Sequence, residues 1–490
     1  MSGVLNTGPG VHVGYLMSLR HDAVAIWNAG VAAVDSSQAV QRHVRIEDNC
    51  LLLADVRIPL TTTRRIEVVG AGKAGAGMAQ GIESSLQETQ LAAHISGWVN
   101  VPADCVRPLN RIHLHAARPA GLNEPTADAV RGTQEILRRV QSLAKSDVCI
   151  VLLSGGASAL LCCPAPGISL DDKLFVTRAL ASRGAPIHEL NLVRTQLSQV
   201  KGGQLAAACR AETLVALIIS DVIGDPLEVI GSGPTTPVTS HAPDALQIVR
   251  KYDLLRTIPA GIISFLEQRA KAPPASGIVM PLHAVNCIVA SNAIAVAAAG
   301  RKAQSLGYAV ESLGSENAGE AAAEGRHLMN QLLKIRSDVD SPSLNGNANR
   351  QPRVCVLSGG EPTVQLTSHP DSRERQSSTG SAPPRGGRNQ ELVLAAISAY
   401  QDPAEWRNLA ILSGGTDGED GPTDAAGATA DEALLIRIAA SGLDPGGYLG
   451  RHDSYSFFDA VGGLLKTGPT HTNVMDLRVG LVESSPACQL

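Results

Sequence analysis

Short apolar runs recur along the chain, and most of them end in glycine or serine. Ile66-Glu-Val-Val-Gly70, Val148-Cys-Ile-Val-Leu-Leu-Ser154, and residues 214–220, 286–290, 354–357 and 409–412 are dominated by Val, Ile, Leu and Ala. Their length and β-branched content predict buried strands. Between them lie Ala-rich and Leu-rich stretches, such as residues 73–86 and 292–305, that predict helices. Alternation of this kind predicts βαβ units and a mainly parallel sheet. In such sheets ligands sit outside the carboxyl ends of the strands. The glycine-rich tails are therefore where chemistry is expected.

Two polar, turn-rich stretches, residues 337–353 and 367–385, read as linkers or surface loops. Proline recurs over residues 235–284. These features divide the chain into an N-terminal α/β domain over residues 14–240, a connecting segment over 241–285 and a C-terminal α/β domain over 286–490. Ser-Gly-Gly follows a predicted strand at positions 154, 358 and 413. Its irregular spacing marks a local device used three times, not a solenoid repeat.

Composition narrows the function classes. The formal net charge of −5 over 490 residues disfavours binding by phosphate neutralisation, so no nucleic-acid partner is expected. Aromatic residues make up only 3%, too few for base-stacking platforms or membrane belts. No apolar run approaches the ~18 residues needed to span a bilayer, so no membrane partner is expected either. The 9 cysteines form no CxxC pair and read as small buried hydrophobes in a reducing compartment. Only the adjacent Cys162 and Cys163 suggest a redox pair. The N-terminus lacks a secretory apolar segment and has no acid before Asp22. A cytoplasmic location follows, with a mitochondrial presequence left open.

Gly70-Ala-Gly72-Lys73-Ala-Gly75 follows a predicted strand, opens a predicted helix and satisfies GxGxxG. A helix start of this kind offers N–H groups to an anion. A dinucleotide site also wants an acid about 20 positions on. Here the next strand runs into Asn100-Val101-Pro102, and the nearest acid is Asp104. Lys73 lies where a phosphate would sit, so the loop reads first as a phosphoryl site. A tight turn with a solvated lysine, and a dinucleotide site, remain the alternatives. Ser154-Gly155-Gly156-Ala157-Ser158 is either a second anion nest or a plain turn.

Asn191, Arg194, Ser198 and Lys201 fall at helical spacing, as a clamp for carboxylate or phosphate or as a solvated face. Ser220-Asp221-Val-Ile-Gly224-Asp225 carries two carboxylates that can hold Mg²⁺ directly or through water. Thr416-Asp417-Gly-Glu419-Asp420 is a similar acidic tail, and both also read as solvated turns. Gly386-Gly387-Arg388-Asn389-Gln390-Glu391 opens a predicted helix, so Arg388 is either an arginine finger or a surface arginine on a capping turn. Ser358-Gly-Gly-Glu361 precedes it.

GAGKAG, LLSGGASALL, LNLVRTQLSQVKGGQLA, ISDVIGDPLEVIGSGPT, LSGGEPTVQL, GGRNQE, LSGGTDGEDGPTDAAGA and GPTHTNVMDL occur in this order between residues 70 and 477, inside a stretch of similarity over about residues 20–482. In order and spacing they resemble the MOFRL-type glycerate kinase family. The resemblance implies ATP-dependent phosphorylation of D-glycerate at its 2-hydroxyl. It implies an N-terminal Rossmann-like α/β/α domain, a smaller C-terminal α/β domain and an active site in the cleft between them. By the same resemblance Lys73 and Arg388 match catalytic residues. Ser154, Asn191, Arg194, Lys201, Asp221, Asp225, Glu361 and Asp417 match signature polar residues. Three positions depart from the family pattern: Ala157 and His471 stand where glycine is usual, and Met475 where a polar residue is common.

Together these readings predict a phosphotransferase using ATP and Mg²⁺, a monomer or homodimer with small-molecule partners. Lys73 and Arg388 would neutralise the moving phosphoryl, with Arg194 on the substrate carboxylate and Asp221 and Asp225 on the metal. Gly70, Gly72, Ser154, Gly155, Gly156, Ser158, Asn191, Lys201, Ser220, Glu361, Asn389, Thr416 and Asp417 would line the substrate and nucleotide site. The competing expectations are an NAD(P)H-dependent hydroxypyruvate reductase and a non-catalytic binding protein.

Overall fold

The computed structural model describes residues 10–61, 64–237, 241–271, 279–340, 353–366 and 384–484. They fall into two units. The N-terminal unit is Asp35–Ser291 with His471–Asn473, and the C-terminal unit is Met1–Val34, Asn292–Thr470 and Val474–Leu490. Most of the two polar stretches, at 341–352 and 367–383, lies outside the described residues, as do residues 1–9. Among the described residues no helix is long and apolar enough to cross a membrane.

The N-terminal unit opens with a small antiparallel sheet of β1 (Val44–Glu47), β2 (Cys50–Leu53) and β3 (Val56–Pro59). Asp48 and Asn49 join β1 to β2 with φ of 48° and 59°, the two left-handed residues of a type I′ hairpin. The sequence reading missed this hairpin, although an Asp-Asn pair is its signal.

The main sheet comprises β4 (Ile66–Ala71), β5 (Ile95–Pro102), β6 (Ile112–Arg118), β7 (Val148–Leu153), β8 (Thr213–Ile219) and β9 (His283–Ala290). Its spatial order is β6-β5-β4-β7-β8-β9, and every pairing is parallel. That is the doubly wound Rossmann order, with the reversal between β4 and β7. β4 and β7 are buried along their whole length, which is why both read as unbroken apolar runs.

β9 pairs with β8, so this unit extends to residue 291 and does not stop at 240. Residues 241–285 are no mere connector. The helices Ala242–Lys251 and Ala260–Lys271 bury Leu246, Val249, Ile262 and Leu266 against Val193 and Leu197. Two of the prolines that suggested a linker, Pro243 and Pro259, sit at the starts of these helices, where the missing N–H does no harm.

The C-terminal unit takes in the helix Gly10–Ala33, which the sequence division had assigned to the N-terminal domain from residue 14. Leu19, Ile26 and Trp27 are fully buried against Leu412, Leu477 and Val479. The Trp27 indole N–H donates to the Gly414 carbonyl at 3.2 Å. This attachment joins positions nearly 400 residues apart, which no local pattern can reveal.

The sheet of this unit comprises β10 (Ala309–Ser312), β11 (Arg353–Gly360), β12 (Leu409–Gly415), β13 (Gly427–Asp431), β14 (Leu464–Leu465) and β15 (Asp476–Glu483). The spatial order is β10-β11-β15-β12-β13-β14. Only the β10–β11 pair is parallel. The expectation of a mainly parallel sheet therefore holds for the N-terminal unit and not here. β15 enters from a stretch without a helix, and a parallel entry needs a crossover of a dozen or more residues. Inserted antiparallel between β11 and β12, β15 begins where both of those strands end. Asp476 faces Gly360 on one side and Gly415 on the other.

Candidate functional site

In the N-terminal unit the tails of β4 and β7 meet at the reversal point of the sheet. A side chain on Gly70 would collide with the Leu152 carbonyl, and one on Gly72 with the Ser154 hydroxyl. These glycines are thus explained by close approach of two backbones. The amides of the loop are engaged inside the protein. Gly72 N–H donates to Asn100 O at 3.1 Å, Lys73 N–H to Gly155 O at 2.8 Å, and Ala74 N–H to Ser154 Oγ at 3.1 Å. The expected row of free N–H groups is therefore absent at these positions, and buried Ser154 is a clamp between the two tails. Lys73 is exposed, and its ammonium makes no hydrogen bond or ion pair with any described residue.

Gly156 has φ 79° and caps the short helix Ala157–Leu160. A side chain there would meet Arg118 Nη2 at 3.2 Å and Lys73 Cγ at 3.6 Å, so the space over Gly156 lies between those two cations. Ala157 is not among the residues with positive φ, so its methyl is accommodated without backbone strain. His471 and Met475 do have positive φ, 59° and 69°. Glycine would hold the first of these without the penalty a side chain incurs.

Ser158, Asn191, Arg194 and Lys201 do come together, joined by Ser232. The Lys201 ammonium donates to Ser158 Oγ at 3.0 Å, Ser158 O at 3.1 Å, Gly231 O at 3.2 Å and Ser232 Oγ at 3.2 Å. Arg194 donates to Ser158 Oγ at 3.0 Å and to Asn191 Oδ1 at 3.3 Å. The assumed helical face is not what unites them, because the helix Ile187–Gln196 ends before Ser198 and Lys201. Ser198 is apart from the group and turns to the Cys163 carbonyl at 3.5 Å. Burial pushes the Lys201 ammonium well below the ordinary lysine range, with the neighbouring Arg194 charge adding to it. Burial likewise lowers Arg194.

Of this group Ser158, Arg194 and Lys201 line a cavity of about 340 Å³. Arg118, from the end of β6, and Lys173, from the helix Leu170–Ser182, also line it. Neither was singled out from sequence, because neither lies in a glycine-rich tail. Their carrier segments resemble any amphipathic strand or helix.

Asp221 stands over the β7 tail, where a side chain on Gly155 would run into its carboxylate. Asp225 sits on a turn with φ 53°. Among the described residues no group of three or more His, Cys, Asp or Glu side chains is arranged to hold a metal. Mg²⁺ commonly takes one or two carboxylates and completes its shell with phosphates and water. The Asp221 carboxylate over a glycine tail fits that pattern. Ser220 is fully buried and turns back on Val222, its hydroxyl accepting from that N–H at 3.3 Å.

In the C-terminal unit Arg388 opens the helix Arg388–Ala399. Its Nε and Nη2 donate to Asp476 Oδ2 and Oδ1 at 2.6 and 3.0 Å, and its Nη1 to Glu361 Oε1 at 2.8 Å. Burial acts to lower the guanidinium, but the Asp476 and Glu361 carboxylates outweigh it and raise it. Asp420 accepts from the N–H groups of Asn389 and Gln390 at 3.0 and 2.8 Å, and so caps this helix from another loop. Gly387 is required there, since a side chain would collide with the Asp420 carboxyl. Burial pushes that carboxyl up to about 7.

Asn389 and Thr416 are buried and serve the framework. Asn389 accepts from Ser413 Oγ at 2.6 Å, and Thr416 Oγ1 donates to Met475 O at 2.6 Å. Asp417 is half-buried and accepts from Glu419 N–H at 3.1 Å. Asp476 carries no role in the sequence reading, because strand order alone brings it to Arg388, and Asp420, read there as part of an acidic tail or solvated turn, caps a helix instead.

Residues 22–267 match the family described as a domain of unknown function, DUF4147, and residues 354–476 match the MOFRL family. A glycerate kinase of Bos taurus is 34% identical over 96% of this chain and 94% of its own length. A glycerate 2-kinase of Pyrococcus horikoshii is 33% identical over 96% and 98%. A putative hydroxypyruvate reductase of Agrobacterium vitis is 35% identical over 95% of each chain. The crystal structure of a glycerate kinase from Thermotoga maritima superposes with a TM-score of 0.76 at 30% identity, covering 95% of this chain and 100% of that one.

Proposed function

The chain belongs to the glycerate kinase family and is a phosphotransferase with an alcohol acceptor, and on that premise we propose that it moves the terminal phosphoryl group of ATP to the 2-hydroxyl of D-glycerate. The observation that carries this reading is Lys73. It is an exposed, unpaired cation at the strand-order reversal of a Rossmann sheet, beside a cavity rich in arginine and lysine. In such sheets ligands collect at that reversal.

Phosphoryl transfer depends on positioning and charge neutralisation. Lys73 supplies a mobile point charge to the phosphoryl oxygens. Arg388 supplies a planar one, and buried Asp476 holds it in orientation. Glu361, whose side chain is 43% exposed against 0% for Asp476, is the partner that yields when phosphate arrives. Asp221 would hold Mg²⁺, which would contribute further neutralisation of the phosphate oxygens. All described cysteines are free thiols, most of them buried, which suits a cytoplasmic enzyme.

Phosphorus NMR of the product made from D-glycerate and ATP tests the reading. A single resonance coupled to the C2 proton is expected, and coupling to the C3 protons would overturn the regiochemistry. The engaged amides at Gly72 to Ala74 count against a dinucleotide at this loop. NADH oxidation with hydroxypyruvate, without ADP release from ATP and glycerate, would replace the kinase reading with the reductase.

A further inference from the structure

Lys173 and Arg118 are two buried charges of the N-terminal unit that the site described above leaves without a role. Each is 4% exposed. Lys173 Nζ is buried with no hydrogen-bond partner, and so is Arg118 Nε. The neighbour within reach of Lys173 is the Cys162 thiol, a poor acceptor. Arg118 has one good partner, Asn123 Oδ1 at 3.0 Å, and no ion pair among the described residues. A buried cation without a counter-charge is destabilising, and folds retain few of them.

Both line the same cavity as Arg194 and Lys201. The latter two are held by Ser158 and its neighbours, so the donors left without a partner are those of Lys173 and Arg118. The one carboxylate among the lining residues, Glu124, is paired with Arg178 at the solvent edge. The cavity is thus lined by positive charge that no lining carboxylate neutralises, while Asp104, outside the lining, acts on Arg118 without pairing with it.

We infer that Lys173 and Arg118 form an oxyanion seat, and that the group seated there is the carboxylate of the acceptor acid. The volume of about 340 Å³ lies at the small end for ligand pockets, which suits a three-carbon acid better than a nucleotide. Gly156 separates Arg118 from Lys73, so an acid seated at Arg118 presents its remaining atoms towards the lysine assigned to the phosphoryl group. This reassigns the carboxylate contact from Arg194, which becomes a support for Ser158. The identity of the acid rests on the proposed function, whereas the seat does not.

Lys173→Met keeps the chain length and removes the ammonium. Thermal melts of the wild type, without nucleotide, should rise on titration with D-glycerate, and more weakly with inorganic phosphate. The variant should lose that response while its own melting temperature holds or rises, because an unpaired buried charge has gone. In turnover assays its KM for glycerate should rise roughly tenfold or more, with the KM for ATP unchanged. Arg118→Met should show the same split. A fall in melting temperature with an intact glycerate response would make Lys173 structural and overturn the seat. A rise confined to the KM for ATP would give the seat to a nucleotide phosphate and overturn the carboxylate assignment. Glycerate-dependent stabilisation lost in the variant, in a chain that releases no ADP, would uphold the seat and sink the kinase reading. Normal glycerate kinetics in both variants would do the reverse.

Discussion

Arg388 grips both oxygens of Asp476, with Nε to Oδ2 at 2.6 Å and Nη2 to Oδ1 at 3.0 Å, and Asp476 is completely buried. A bidentate fork of this kind fixes the plane of a guanidinium as well as its position. Asp476→Asn leaves the charge on Arg388 but breaks the fork. The expected result is a fall in kcat of roughly 10²-fold with a smaller change in KM, as for a misplaced catalytic group. Arg388→Ala should lower turnover by roughly 10²–10⁵. Steady-state kinetics of both variants measure the difference, and an Asp476→Asn enzyme with full kcat would show that the fork is structural only.

Lys73 offers the opposite case. Its side chain is exposed and makes no hydrogen bond or ion pair with any described residue. Lys73→Ala should leave the melting temperature within about a degree, since exposed substitutions away from such features stay within about 0.5 kcal/mol. Turnover should nevertheless fall by roughly 10²–10⁵. Thermal melts and ADP-release assays on one preparation separate the two effects.

Ser154 is expected to act on stability first. Ser154→Ala leaves the buried Ala74 N–H without its acceptor, a loss of about 1–3 kcal/mol. Gly70→Ala should be worse, because the new methyl collides with the rigid Leu152 carbonyl of the neighbouring strand. Urea denaturation should rank the two below wild type in that order. A Ser154→Ala protein with unchanged stability but weakened ATP binding would return the hydroxyl to the nucleotide.

Asp420 sets a pH dependence of stability. Burial raises its carboxyl to about 7 in the folded chain, from an ordinary value of 3.8. The folded state therefore binds the proton more tightly than the unfolded state. The resulting stabilisation is complete below about pH 4, declines as pH rises, and is gone once pH passes about 7. Asp420→Asn removes this titration. Urea melts at pH 5 and pH 7.5 should show the wild type losing more stability across the interval than the variant, and equal losses would place the carboxyl at its ordinary value.

The parallel Rossmann sheet was legible because β4, β7 and β8 are buried almost throughout and so leave unbroken apolar runs. The glycine-rich tails were legible because backbone approach excludes side chains at Gly70 and Gly72. The reason assigned to them was incomplete, since the amides of that loop are engaged by Asn100, Ser154 and Gly155. Arg118 and Lys173 were not legible. A buried cation on an amphipathic element looks in sequence like a solvated one, and only packing distinguishes them.

Local patterning along the chain determined the strands β4, β7, β8, β9, β11 and β12, the helices Gly75–Leu86 and Asn292–Ser305, and the family, and it singled out Lys73 and Arg388 as candidates. These depend on neighbours in sequence or on motifs in order. Tertiary structure alone decided that the helix Gly10–Ala33 packs with the C-terminal unit. It also decided that β15 enters antiparallel to meet Arg388 with Asp476, and that Lys173 lies buried without a partner. Each of those outcomes is set by contacts between residues far apart in the chain, where the energies of burial and charge pairing depend on strand order and not on local spacing.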